Sequence, residues 1–226
     1  MTQQWPKFKD LAWIYSHKSI LNDLNDSKNI SNVAIYMVSN KDTDMDEKYI
    51  KYIKYFYKWI KLVINNILYH YVYKHQYYFP KFKYPICTTL IEEYKEIDIL
   101  LIRIKNRVNA NINNSYSILE LIKEDIKELL RLITINFNKE TAILLPTIMS
   151  DYNYSIFRKI DIKIGLKAKW YALPHLYRNI STEHSIYHMT KILNIPKISR
   201  DTTIALYFKR YKLEYGPIID MLMPEI

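Results

Sequence analysis

Only two glycines, Gly165 and Gly216, occur in 226 residues, and this scarcity limits the fold more than any other feature. Average chains carry about 7% glycine, and tight two-residue hairpins mostly need Gly or Asn at positive φ. Abundant asparagine leaves some room for hairpins, so an all-β fold is disfavoured rather than excluded. Gly-rich phosphate loops are excluded: two isolated glycines cannot write a dinucleotide-binding or P-loop pattern.

Apolar periodicity points to helices instead. Residues 8–24 (FKDLAWIYSHKSILNDL) carry Leu11, Ile14, His17 or Lys18, Leu21 and Leu24 at i, i+3, i+4 spacing, which predicts an amphipathic helix. The polar segment NDSKN is read as its end, followed by a short apolar piece to Val38. The acidic loop 39–47 opens a long second helix that runs to about Tyr78 and stops at Pro80. A third begins after Pro85, with Thr88 or Thr89 as N-cap and Glu92 and Glu93 in its first turns. It ends near the asparagine-rich connector 109–115. The fourth starts at Ser115 or Ser117, where Ser117-x-x-Glu120 has capping-box spacing, and continues past Glu140 toward Pro146. Four such helices joined by short polar loops make an all-α, up-down bundle the expected architecture. The region after Asp151, with Pro174, Pro196 and Pro217, is read as shorter helical pieces packed on that bundle.

Other chemistries find little support. The single cysteine, Cys87, excludes an internal disulfide and a cysteine zinc site, and is read as a core residue. The opening MTQQWPKFKD has no apolar signal-peptide core, and no apolar run approaches the ~20 residues of a membrane span. An intracellular, cytoplasmic location is expected. Net charge is +10 and the isoelectric point near 9.3. The basic residues fall in short clusters such as KYIKYFYK and KAK, spaced like solvated helix faces. They keep nucleic acid open as a partner. Tyr, Ile, Lys and Asn share A/T-rich codons, so their counts carry little weight alone.

The histidines are more informative. His17 lies beside the apolar stripe of the first helix, while His70 and Lys74 share a face of the second. His75, about 140° round the helix from His70, is read as a surface or interface residue. His184 and His188 have metal-pair spacing without a third ligand.

Four pieces of the chain together resemble the hemerythrin-like family. NFNKETAILLP (136–146) resembles its last ligand helix, and LYHYVYKHQYYFPKF (68–82) its second. LIEEYKEIDILL (90–101) looks like its third helix and IYSHKSILNDL (14–24) its first, all in family order. The resemblance implies a hemerythrin-like up-down four-helix bundle over residues 1–150, with a helical C-terminal extension, 151–226, packed on it. In the family this bundle holds a non-haem di-iron centre that carries oxygen or senses iron. Carried over by position, His17, His70 and Glu140 match metal ligands. Lys74, Tyr94 and Asn136 stand where the resemblance implies a glutamate and two histidines.

Three missing donors, one replaced by an ammonium, imply that the di-iron centre is lost and no cofactor is held. The expected protein is non-enzymatic, a structural or interaction protein working through an unidentified protein partner. Two alternatives stay open: a residual iron- or oxygen-binding protein using His17, His70 and Glu140, and a basic nucleic-acid-binding module. If the helices pack as the resemblance implies, Lys74 takes the place of the cation, pairing with Glu140 while Tyr94 and Asn136 complete the hydrogen bonds.

Overall fold

The computed structural model describes residues 12–40, 46–81, 86–110, 116–168 and 211–223, with His175, Arg178, Asn179, Thr202, Ala205, Leu206 and Lys209. All regular structure among them is helical. The elements are α1 (Ala12–Ser39), α2 (Asp46–Tyr73), α3 (Ile86–Ala110), α4 (Tyr116–Lys139), α5 (Leu145–Asp151), α6 (Tyr154–Ala168) and α7 (Gly216–Leu222). A π-helical segment, Lys74–Tyr78, and a 3-10 turn, Phe79–Lys81, extend α2, and Pro80 sits in that last turn. A second π-helical segment, Glu140–Leu144, joins α4 to α5.

α4 shows why these stretches are helices. Its residues Leu119, Ile122, Ile126, Leu129, Ile133 and Phe137 recur every three or four positions and are all buried. The opposite face carries Glu124–Lys127 and Glu128–Arg131 pairs, which add little because water screens exposed charges. Packing of the apolar face therefore dominates, at about 1.5–3 kcal/mol per large side chain removed from water. α1 packs against α2 and α4, and α3 packs against the same two helices, so each of the four has two neighbours. Phe56, Trp59, Ile67, Leu101, Ile104 and Ile122 fill the space between them.

One expected break is absent. α1 runs unbroken through NDSKN, where Ser27 turns inward and is satisfied within the fold. Ser27 donates to the Asp23 carbonyl and Ser31 to the Ser27 carbonyl, each at 2.6 Å. Ser27 Oγ also accepts from Trp59 Nε1 at 3.0 Å, which ties α1 to α2. Polar side chains can end a helix by bonding nearby backbone groups, and here the buried Ser27 and Ser31 bond back to carbonyls one turn earlier within the helix. α3 begins at Ile86, two and three residues ahead of Thr88 and Thr89, the threonines expected to cap it.

The carboxy-terminal part is held by polar contacts as well as by α7, which packs on α2. Asp23, wholly buried in α1, accepts from His175 Nδ1 at 2.5 Å and from Arg178 Nη1 and Asn179 Nδ2 at 3.0 Å each. Arg178 also reaches Asp26 at 2.6 Å, and its guanidinium lies 4.9 Å from the Trp59 ring centroid. The His184–His188 pair and the Cys87 side chain lie outside the described residues. No helix among the described residues is long and apolar enough to cross a membrane.

Candidate functional site

Lys74 and Glu140 each open a π-helical segment. The Phe79 N–H reaches back five residues to the Lys74 carbonyl, and the Leu145 N–H does the same to Glu140. Such a widened turn shifts the helical register by about one residue, and π-bulges recur at functional sites. His75, read as a surface or interface residue, is half-buried in this segment, with its ring edge-on to Phe79 (5.0 Å) and Tyr94 (5.3 Å). The 140° separation from His70 holds for a regular α-helix, and the chain departs from one at Lys74.

Lys74 Nζ lies 2.5 Å from Glu140 Oε2 and 3.2 Å from His17 Nε2. His17 Nε2 is in turn 3.0 Å from the same carboxylate oxygen. Tyr94 donates its hydroxyl to the other oxygen, Glu140 Oε1. α1, α2, α3 and the α4–α5 junction each supply one of these groups. Glu140 is fully buried and Lys74 is 2% exposed. The ammonium also lies 4.9 Å from the Phe137 ring centroid and 5.5 Å from that of Tyr71, so aromatic faces close the site around the charge.

The other two positions lie at the edge of this network. His70 bonds through Nδ1 to Ser16 Oγ at 2.8 Å, while its buried Nε2 has no hydrogen-bond partner among the described residues. Donor atoms of His17, His70 and Glu140 all fall within 4.8 Å of one another. Asn136 is buried and influences the ionisation of Tyr94, yet neither of its polar atoms reaches a partner in hydrogen-bond geometry among the described residues. The sequence reading missed two supporting residues. Ser16 anchors His70, and Phe137 stacks parallel on His17 with ring centroids 3.6 Å apart. Both adjoin singled-out positions, but neither residue type announces such a role.

Burial and mutual charge set the protonation states. Burial would raise the Glu140 pKa, but the Lys74 charge and the His17 hydrogen bond outweigh it and hold the carboxyl well below the usual range. Burial brings Lys74 down to about 8 against the pull of Glu140, so it remains mostly an ammonium at neutral pH. His17 falls to about 4, first through burial and then through the Lys74 charge. His70 is lowered for the same two reasons, in the same order. At neutral pH the site therefore holds one cation, one anion and two neutral imidazoles. Burial, then the Glu140 charge, keeps the Tyr94 phenol protonated.

These states give a signed pH dependence. Between pH 6.5 and 4 the unfolded chain protonates its histidine while folded His17 does not, so stability falls as pH drops through that window. The His17 share is roughly 3 kcal/mol at 1.36 kcal/mol per unit. Glu140 adds stability that is present above its unfolded value of 4.5 and lost as pH falls below it. In urea titrations at pH 7 and pH 4.5, the parent should lose more stability on acidification than His17→Gln. Equal losses would show that His17 does not titrate in this way.

Comparison with protein-family models, with curated proteins and with solved structures finds no match for the chain.

Proposed function

We propose that this is a non-enzymatic helical protein, a hemerythrin-like up-down four-helix bundle formed by α1–α4, in which the Lys74 ammonium stands in for the metal cations. The observation that carries this reading is Lys74 Nζ at 2.5 Å from Glu140 Oε2 in a fully buried setting. Four helices each bring one group to a single point, as a metal-binding bundle does. The donor set does not fit a di-iron group. His17, His70 and Glu140 offer three ligand atoms, and the carboxylate is already neutralised by an internal cation. A second positive ion at that point would face the ammonium's charge with little water to screen it. The interior then serves stability, and function passes to the surface, as a structural or interaction protein.

The second reading, residual metal binding, draws on the cluster of His17, His70 and Glu140 and on the His70 Nε2 that has no partner among the described residues. Elemental analysis of protein purified without chelator separates the two. We expect no stoichiometric iron, zinc or manganese, and no gain in melting temperature on adding them. Metal at one or more equivalents per chain would overturn the proposal.

A further inference from the structure

The outer face of α2 carries a charge pattern that the buried site does not use. Lys51, Lys54, Lys58 and Lys61 are exposed. At 100° per residue they fall within about 80° of arc and span about 15 Å of helix. Phe56, Trp59, Ile60 and Val63 are buried, so the lysine stripe faces away from the core. No Asp or Glu occurs between Glu47 and Glu92. On α3 and α4 five of the eight basic residues behave differently: Arg103, Arg107, Lys127, Arg131 and Lys139 each pair with a carboxylate. Among the described residues none of the four stripe lysines does so. An ordinary solvated face mixes both signs, as α4 does.

We infer that this stripe is a sequence-tolerant binding surface for the phosphate backbone of single-stranded nucleic acid. Successive lysines rise 4.5–6 Å along the helix (about 1.5 Å per residue), comparable with the charge spacing of a nucleic-acid strand. Lysine offers a flexible point charge rather than a planar fork, which suits phosphate contact over base readout. Tyr55 and Tyr57 flank the stripe, half-buried, and the Lys58 ammonium lies 5.3 Å from the Tyr55 ring centroid. Rings beside a basic track are the stacking partners that unpaired bases use. A membrane surface fits less well, because the apolar face that would anchor α2 in lipid is committed to the core.

This inference names a partner for the surface function proposed above, and its test is independent of metal content. Full-length protein is titrated with a fluorescent single-stranded oligothymidine at several salt concentrations, and in parallel with phosphatidylserine vesicles. Four phosphate contacts predict a log–log salt slope of about −2.8, which is roughly a 50-fold loss of affinity between 50 and 200 mM salt. Changing all four lysines to glutamine should abolish most binding and flatten the slope while leaving the helical spectrum unchanged. If that variant folds poorly, Lys54→Gln and Lys58→Gln should each reduce the slope by about 0.7. Lysine variants that bind the oligonucleotide like the parent would overturn the inference. So would binding to vesicles without binding to the oligonucleotide. Stoichiometric metal would overturn the proposed loss of the metal centre and leave this surface standing.

Discussion

Lys74→Met is expected to lower the melting temperature by roughly 6–20 °C. The loss combines a cost on the order of 3–5 kcal/mol for stranding one member of a buried ion pair with about 2–4 °C per kcal/mol in a chain of this size. Methionine keeps most of the lysine volume, so little of the effect comes from a cavity. Glu140 would lose the ammonium at 2.5 Å and keep the Tyr94 hydroxyl and His17 as partners. Those partners are too weak to hold a wholly buried charge, so the carboxyl would take up a proton or the site would open. The double variant Lys74→Met with Glu140→Gln should recover part of the loss, because no charge remains to be stranded. Recovery is the discriminating result. A Lys74→Met protein that melts like its parent would show that the pair contributes nothing. A double variant no better than the single would place the damage in packing rather than in charge.

The helices were legible in the chain because apolar spacing is a local signal. The face of α4 from Leu119 to Phe137 and the start of α3 after Pro85 both read directly from residue types. Lys74 and Glu140 lie 66 residues apart, and a hydrophobic pattern carries no information about such a partner. Only the resemblance of several helices taken together suggested that the two could meet. Local reasoning failed where polar residues turn inward. NDSKN reads as a loop in isolation, yet Ser27 is buried and bonded to the Asp23 carbonyl. His75 sits half-buried against Phe79 and Tyr94 within the π-turn Lys74–Tyr78, and no residue type there signals that turn.

Asp23 was the clearest missed signal. A carboxylate between Ile20 and Leu24 on an apolar stripe must either disrupt the helix face or find cationic partners. Residues next to Asp23 in the sequence do not identify that partner. The structure supplies it from the far end of the chain, with His175 and Arg178 more than 150 residues away.

The contacts at Asp23 carry the second large expected effect. Asp23→Asn keeps the shape of the side chain but removes its charge and replaces one acceptor oxygen with a donor nitrogen. Either His175 Nδ1 or the Arg178 and Asn179 donors must then face that nitrogen. Arg178 would keep Asp26 at 2.6 Å and its place over Trp59, so it is not left without a counter-charge. Even so, hydrogen bonds to the charge of a fully buried aspartate are lost, at about 1.5–3 kcal/mol for each bond to a charged group. Where that cost appears is the more telling result. The Lys74–Glu140 pair joins α2 to the α4–α5 junction, so breaking it should weaken every core helix together. The Asp23 contacts join α1 to the carboxy-terminal part, so their loss should release that part first. In hydrogen exchange, Asp23→Asn should strip protection from α7 while α3 and α4 stay protected. Asp26→Asn should do less, because that carboxylate is a quarter exposed. Equal loss of protection in α4 and α7 would show that the carboxy-terminal part unfolds with the core and is not held chiefly through Asp23.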